Sequence, residues 1–459
     1  MIGRKALLLA IFGLSAVANA ATLHVGPNET YTTIGAAAAA VADGDVVEID
    51  AGTYHEAVVW QRDNLTIRGV GARPVIDMTG MAIANGKGIF VSDGANFAIE
   101  NFEFVGASVS SANGAGLRWE GGGTLAVHDC VFRSNEDGIL GGNPGGMHPE
   151  NTATIENNEF VDNSHGDPGL THSVYIGEAD SVTFRGNWSH ALYGGGSDVG
   201  HLFKSRAHHN FVLYNRLTSE DTPSSYEVNL PEGGEAYVIG NLIQQRVGSQ
   251  RVMISFGDGD GTQYAASKLF VANNTFVSES AGDATFVRTT QADAQLVVAN
   301  NLFVGPGTLT SGGMPTLLSN VTTASPGFVD QAMFDYHLTA GSPAVDAGAD
   351  PGMIAVMSLS PVQQYVHPRM LESRAPVGAP DVGAYELGNM PDSGDNAAVG
   401  DDTPVGPQAG SSGCSCDARS RACDGWSWIL VITIGLGRRL HRRRANSRSS
   451  APLQVCGRT

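Results

Sequence analysis

The sequence predicts an all-β solenoid, a chain wound into stacked coils that each contribute strands of the same kind. A six-residue motif recurs eight times, its apolar and polar positions alternate, and Gly, Asp and Asn-rich turns separate the copies. Alternation at period two is typical of a strand, and a strand that returns at a fixed spacing is typical of a solenoid. The copies are IENFEF (99–104), VHDCVF (127–132), IENNEF (155–160), FRGNWS (184–189), VLYNRL (212–217), VIGNLI (238–243), VANNTF (271–276) and VANNLF (298–303).

The columns of this alignment predict the interior. The first position is apolar in all eight copies and the sixth is Phe, Leu or Ile in seven. The fourth is Asn in six copies, and stacked Asn side chains hydrogen-bond from coil to coil. Successive copies lie 26 to 33 residues apart, so we expect nine to eleven coils of about 28 residues. The predicted core column is Ile99, Val127, Ile155, Phe184, Val212, Val238, Val271 and Val298.

Two competing repeat folds do not fit. The Leu-x-x-Leu-x-Leu pattern of leucine-rich repeats is absent, and a propeller blade needs four strands in about 40 residues, more than these units contain.

Two parts of the chain are similar to the ends of a known family of proteins. They are the opening YTTIGAAAAAVADGDVVEIDAGTY (31–54) and the closing FVDQAMFDYHLTAGSPAVDAG (328–348) with PDVGAYELG (380–388). From about Tyr31 to Glu386 the chain resembles the right-handed parallel β-helix proteins of the pectin-lyase-like superfamily. The resemblance implies a short N-terminal capping helix, a β-helix over 21–304 and a closing segment over 305–386.

The two ends of the chain predict export. MIGRKALLLAIFGLSAVANA (1–20) has the basic start, apolar run and small-residue site of a signal peptide. Residues 387–412 have the composition of a disordered linker. The tail 413–459, with cysteines, a short apolar run and an arginine cluster, resembles MYXO-CTERM sorting tails; the alternative is a stop-transfer segment. We therefore expect a location at the cell surface or outer envelope, with contact to the envelope membrane through the tail, or release.

The charge balance excludes nucleic acid as a partner. Residues 21–412 contain 44 acidic and 16 basic residues, and a surface that acidic repels nucleic acid and anionic membranes. The whole chain has only four lysines, yet Lys204 lies within five residues of Arg206, His201, His208 and His209. This concentration of basic groups marks VGHLFKSRAHHNF (199–211) as the candidate site.

Four strands on consecutive coils predict which side chains surround Lys204. They are HSVYIG (172–177), GHLFKSR (200–206), SYEVNL (225–230) and VMISFG (252–257). With Phe203 directed inward, Leu202, Lys204 and Arg206 face outward. The same alternation directs Tyr175, Glu227, Asn229 and Ser255 outward onto one shared face.

These residue types suit the β-elimination that cleaves uronic-acid polysaccharides. Lys204 would be the base, Arg206 would grip the carboxylate, and Tyr175 or His172 would be the acid. Glu227 would orient Lys204 or bind sugar hydroxyls, and His201 belongs to the same cluster. The resemblance adds that parallel β-helix lyases use Lys and Arg in such roles. We therefore predict an acidic polysaccharide or other glycan as partner, and a monomeric uronide lyase.

Three alternatives stay open. The first is that the cluster is a solvated salt-bridge face, which would make the protein a non-catalytic surface module that binds glycan or neighbouring proteins. Glycoside hydrolysis by a pair drawn from Asp137, Asp162, Asp167 and Asp180 ranks below the lyase. The only cofactor suggested is calcium, at Asp162 and Asp167 in DNSHGD (162–167) or at GDGDG (257–261).

Overall fold

The computed structural model describes residues 20–141, 150–166, 169–193, 200–220, 222–259, 261, 263–280, 282, 284–354 and 357–389. The predicted signal peptide (apart from residue 20), the C-terminal tail, nearly all of the linker and Asp167 lie outside this part of the chain. Within it, no helix is long and apolar enough to cross a membrane.

Three long parallel sheets, called A, B and C here, make up the body, and from Val46 onward the chain visits them in the repeating order A, B, C. Sheet A contains Thr22–Val25, Val46–Asp50, Leu65–Val70, Phe97–Glu100, Thr124–His128, Thr152–Glu156, Ser181–Arg185, His209–Leu213, Glu235–Ile239, Lys268–Ala272, Gln295–Ala299 and Met314–Leu318. Sheet B contains Thr53–Tyr54, Val75–Asp77, Glu103–Val105, Val131–Arg133, Glu159–Val161, Trp188–His190, Arg216–Thr218, Leu242–Gln245, Thr275–Ser278, Leu302–Val304 and Val321–Thr323. Sheet C contains Val58–Trp60, Gly88–Ser92, Ala115–Trp119, Asp137–Gly141, Val174–Ile176, Phe203–Ser205, Val228–Leu230, Val252–Phe256, Thr285–Thr289 and Thr308–Ser311. The predicted all-β parallel β-helix is confirmed, with ten to twelve strands in each sheet.

The predicted core column is confirmed in full. Its eight residues are partners in one continuous register of sheet A, and none is more than 1% exposed. In sheet B the phenylalanines stack from coil to coil, with ring centroids 5.3 Å apart for Phe104 and Phe132 and 5.0 Å for Phe132 and Phe160. Because each apolar residue packs on its equivalent one coil away, the interior is a column rather than a central cluster.

An asparagine ladder forms the bend between sheets A and B, as the fourth column predicted. From Asn158 to Asn320, each side-chain amide donates to the next Asn Oδ1 at 2.9 to 3.1 Å. The residue before each Asn has a positive φ, for example 55° at Tyr214 and 58° at Asn157. A left-handed residue turns the chain sharply, and the amide then binds the backbone groups that the bend leaves without a sheet partner.

The N-terminal helix, α1 (Ile34–Ala40), is also confirmed. Thr33 caps it by accepting the Ala36 N–H at 3.2 Å. Helix α1 contacts Thr22–Val25 and Val58–Trp60, the first strands of sheets A and C, and it buries Ile34 in the core. It therefore packs at the N-terminal end of the column, where a sheet edge would otherwise be unpaired.

Parallel strands extend past residue 304, the predicted end of the β-helix. They continue to Thr323, and the last coil spans only 19 residues from Asn301 to Asn320. Three antiparallel pairs follow, with one 3-10 turn at Gln331–Met333. The pairs are Phe328–Asp330 with Asp335–Leu338, Met353–Ile354 with Met357–Ser358, and Gln363–Val366 with Met370–Ser373.

This segment packs along the outside of sheet B. Its Tyr336, Tyr365 and Val382 form an apolar cluster with Leu242 and Leu302 of sheet B. It packs there because the outward positions of sheet B are apolar in these coils, and the segment shields them from water.

Candidate functional site

The outward side chains of sheet C form one continuous row. The register runs Leu140, Tyr175, Lys204, Asn229, Ser255, Arg288, with Arg118 one coil before Leu140. Tyr175 and Lys204 are therefore neighbours on adjacent coils, as the spacing predicted. The cations Arg118, Lys204 and Arg288 recur every third coil, about 14 Å apart at a coil spacing of about 4.8 Å.

Two predicted orientations are wrong. Glu227 and Leu202 were expected to face outward, and both are fully buried. Glu227 accepts hydrogen bonds from Ser219 Oγ at 3.0 Å, from Gln245 Nε2 at 2.8 Å and from Ser224 Oγ. Burial raises the pKa of Glu227 to about 8 against the lowering effect of these donors. Both residues come just before their strands, at a corner, where strand alternation no longer dictates direction.

Two histidines and a tyrosine stack just before three successive strands of sheet C. The rings of His172 and His201 are 4.7 Å apart and nearly parallel, and those of His201 and Tyr226 are 4.9 Å apart. His172 Nδ1 accepts the His201 backbone N–H at 3.0 Å, and His201 Nδ1 accepts the Tyr226 N–H at 3.2 Å. Burial lowers the pKa of both histidines well below the usual value. Both imidazoles are therefore neutral at pH 7, with the proton on Nε2.

The Lys204 side chain contacts this stack at His172. Its Nζ lies 3.4 Å from His172 Nε2 and 4.7 Å from the centroid of the Tyr175 ring. The Tyr175 and His172 rings themselves meet edge to face at 5.5 Å. The structure thus brings three of the predicted residues together.

Arg206 is bonded on two sides. Its Nε donates to the Tyr175 hydroxyl at 2.8 Å, and its Nη1 forms an ion pair with the buried carboxylate of Glu232. The predicted bidentate grip on a substrate carboxylate would have to compete with these contacts. Glu232 was not predicted, since neither its charge nor its spacing separates it from the many other carboxylates of the chain.

Arg288 anchors a second polar group farther along the row that the sequence did not reveal. Its Nη2 donates to Asp258 at 2.7 Å, to Ser255 at 2.6 Å and to the Tyr226 hydroxyl at 3.0 Å. Asn229 donates to the other Asp258 oxygen at 3.0 Å. The Asp258 carboxylate, expected as a calcium ligand, is thus bonded to an arginine and an amide. The only signal in the sequence was the coil register, which aligns Arg288 with Lys204.

Asp137, predicted only as one of four hydrolase candidates, lies next to His172. It is fully buried, and its Oδ1 accepts the backbone N–H of His172 at 2.8 Å. Its Oδ2 has no hydrogen-bond partner among the described residues. Burial raises the pKa of Asp137 to about 8. The hydrogen bond from the His172 N–H to Asp137 holds the backbone that carries the His172 ring.

At the first predicted calcium site, Asp162 accepts hydrogen bonds from Ser134 Oγ at 2.7 Å and from His165 Nε2 at 3.2 Å. Its side chain is 44% exposed. Calcium takes six to eight oxygen ligands. Within the described residues, Asp162 is the one predicted ligand of this site, so calcium stays a prediction.

Comparisons with known proteins agree with the architecture. A family model described as the right handed beta helix region matches residues 34–243. The chain folds as a right-handed parallel β-helix. Among solved structures, pectate lyase Pel9A aligns with a TM-score of 0.51 and 13% identity, covering 81% of this chain and 97% of that chain. At this identity, the similarity shows the fold alone.

Two structures of the pectin methylesterase from Aspergillus niger also align, one penultimately deglycosylated and one deglycosylated. Both are 12% identical and cover 71% of this chain and 92% of that chain, with TM-scores of 0.27 and 0.26. A search of the curated proteins found no match.

Proposed function

We propose that the protein binds an acidic polysaccharide along the outer face of sheet C and cleaves it by β-elimination. The proposal rests on one group of contacts. Lys204 Nζ lies against His172 Nε2 and the Tyr175 ring, and Arg206 donates a hydrogen bond to the Tyr175 hydroxyl. A base and an acid on adjacent coils are what a proton abstraction followed by departure of a sugar oxygen requires.

The row of outward cations supports binding. Arg118, Lys204 and Arg288 lie on one line parallel to the stacking axis, in a body that is otherwise strongly acidic. A linear uronide presents carboxylates at regular intervals, and an extended chain laid along this line would meet the cations in turn. Since Arg118 pairs with Glu120 and Arg288 with Asp258, we expect these pairs to open or share their charge on binding.

The tautomer of His172 supports Lys204 as the base. His172 Nδ1 accepts the His201 N–H, so the ring proton of the neutral imidazole sits on Nε2 and faces Lys204 Nζ. The contact is a hydrogen bond only when Lys204 is a free amine, because an ammonium group has no acceptor. A free amine takes the proton from the carbon next to the substrate carboxylate.

Tyr175 supports the other half of the reaction. Arg206 Nε donates to the phenol oxygen, so the hydroxyl proton points away from the guanidinium. When Lys204 removes the carbon-bound proton, the carbon–oxygen bond to the leaving sugar breaks and a carbon–carbon double bond forms. Tyr175 supplies the proton that the leaving oxygen takes. Arg206 then holds the phenolate, which is the role its contacts favour over direct carboxylate binding.

The test is the ultraviolet absorbance of the new double bond conjugated to a carboxylate. Polygalacturonate, alginate and glycosaminoglycans are supplied to the wild type and to Lys204→Ala and Tyr175→Phe. Lys268→Ala is the matched control, because Lys268 is a half-exposed lysine of sheet A, paired with Glu235. We expect turnover by the wild type and the control and a loss of at least 100-fold in Lys204→Ala. Absence of turnover on every uronide would refute the lyase.

A non-catalytic glycan-binding module is the second candidate, and the ion pair of Arg206 with Glu232 favours it. An arginine already neutralised by a buried carboxylate contributes to a stable surface without reacting. Affinity electrophoresis in gels containing each uronide separates the two candidates. Salt-sensitive binding that Lys204→Ala weakens, with no absorbance change, would establish the module.

We also propose that the protein is exported and held at the cell surface or outer envelope. Support comes from the signal-peptide pattern of residues 1–20 and the cysteine, apolar and arginine pattern of residues 413–459. Fractionation of cells that express the full chain and a chain lacking 413–459 tests this proposal. Release of the shortened chain into the medium is expected, and its retention in the envelope would contradict the anchoring role of the tail.

A further inference from the structure

We propose that Asp180, His208 and His209 bind a divalent transition-metal ion of the Zn²⁺ type. The three residues lie at the bend from sheet C to sheet A on two consecutive coils, where Asp180 precedes Ser181–Arg185 and His209 begins His209–Leu213. This bend lies past the end of Phe203–Ser205 and is separate from the Lys204 contacts described above. The proposal does not depend on catalysis at Lys204.

The donor atoms already form a compact group. One ligand atom from each of the three side chains lies within 4.8 Å of the other two. His209 Nδ1 is 3.6 Å from Asp180 Oδ1 and 3.1 Å from the Asp180 carbonyl oxygen, and the two imidazole rings are 4.2 Å apart. Tetrahedral zinc with bonds of about 2.0 to 2.1 Å holds neighbouring ligands roughly 3.3 Å apart. Small side-chain rotations are therefore enough to close the site.

The backbone beneath these side chains is fixed by pairing between coils. His208 N–H donates to the Ala179 carbonyl at 2.9 Å, and His209 N–H donates to the Asp180 carbonyl at 2.8 Å. The ring of Tyr264 stacks on His208 at 4.6 Å. Little conformational entropy is then lost on binding, because only the outer torsions of three side chains remain to be ordered.

The donor set selects the class of metal. Two imidazole nitrogens and one carboxylate oxygen suit Zn²⁺ and related divalent ions, with a fourth position for water. Calcium and magnesium prefer oxygen ligands throughout, so this site is chemically distinct from the calcium site predicted at Asp162.

Tyr264 connects the metal site to the row on sheet C. Its ring stacks on His208 and its hydroxyl donates to the Arg206 carbonyl oxygen at 3.2 Å. An ion at the bend would join two neighbouring coils through Asp180 and His209, just beyond the segment that carries Lys204 and Arg206. Since the ligands are far apart in an unfolded chain, the metal should stabilise the folded state.

The test is a calorimetric titration with Zn²⁺ of the full chain, without a polyhistidine tag, stripped with a chelator and with its thiols alkylated. His209→Ala and Asp180→Asn are compared with wild type, and His337→Ala is the matched control. His337 also pairs with an exposed carboxylate, its Nδ1 lying 2.6 Å from Asp335 Oδ1. We expect wild type and control to bind one equivalent more than either site variant, or to bind that equivalent at least tenfold more tightly.

Thermal unfolding gives the second readout. Saturating Zn²⁺ should raise the Tm of the wild type and of His337→Ala by more than it raises the Tm of His209→Ala or Asp180→Asn. Far-UV circular dichroism of the metal-free variants verifies that they are folded before titration. Equal Zn²⁺ binding by all four proteins, or no binding by the wild type, would overturn the proposal.

Discussion

Replacing Asn215 with alanine should destabilise the β-helix far more than the same change at the end of the same ladder. Asn215 is fully buried, and its side chain makes four hydrogen bonds. Its Oδ1 accepts the backbone N–H of Asn187 at 2.9 Å and the Asn187 amide at 3.1 Å. Its Nδ2 donates to the Phe184 carbonyl at 2.8 Å and to Asn241 Oδ1 at 2.9 Å.

The size of the expected loss in the free energy of unfolding follows from the hydrogen-bond partners that alanine would leave unpaired. A buried polar group that loses its partner costs about 1 to 3 kcal/mol, and the Asn187 backbone N–H would keep none. Asn241 Oδ1 loses the hydrogen bond from the Asn215 side chain but still accepts the backbone N–H of residue 215, so it keeps one partner. Counting about 1 kcal/mol for each of the four bonds, the free energy of unfolding should fall by roughly 3 to 5 kcal/mol. That is a large share of the stability of a typical domain, about 5 to 15 kcal/mol.

Asn320 provides the matched control because it occupies the last rung of the ladder. It accepts two hydrogen bonds from Asn301 and donates one to Val298, but it is only partly buried. Water replaces the lost bonds there, so Asn320→Ala should cost about 1 kcal/mol. Urea unfolding followed by circular dichroism measures both variants. Equal shifts in the two midpoints would show that the buried ladder does not carry the stability assigned to it.

Three further predictions concern the core, the candidate site and the pH dependence of stability. Ile155→Asp should prevent folding, because it buries an unpaired charge in the apolar column, whereas Ile155→Val should fold; a soluble, cooperative Ile155→Asp would contradict the packing. Lys204→Ala should abolish turnover while it changes stability by less than about 1 kcal/mol, and a large drop in Tm would instead make Lys204 a structural residue. Burial opposes ionisation of Glu220, yet His190 and Arg216 lower its pKa to about 2 from the usual 4.5. Because this folded-state pKa is lower, the stabilisation is present above about pH 4.5 and is lost toward pH 2, so between pH 5 and 2.5 the wild type should lose more stability than Glu220→Gln.

The sequence alone determined the coil, its period and its inner columns. In a solenoid each residue packs on its equivalent one repeat away, so a spacing in sequence becomes a neighbour relation in space. Within strands, alternation then fixes which side chains point inward, as it did for Phe203, and outward, as it did for Tyr175 and Lys204. The asparagine ladder followed for the same reason, since its members recur at one position of the coil.

The tertiary structure decided what happens at the corners and between unlike segments. Glu227 and Leu202 turned inward because they precede their strands, where period two gives no direction. The pairing of Arg206 with Glu232 depends on how each corner bends, and corner lengths vary from coil to coil. The final segment packed on sheet B because outward residues such as Leu302 are apolar there. Contacts of this kind join positions that share no repeat, so only the folded chain brings them together.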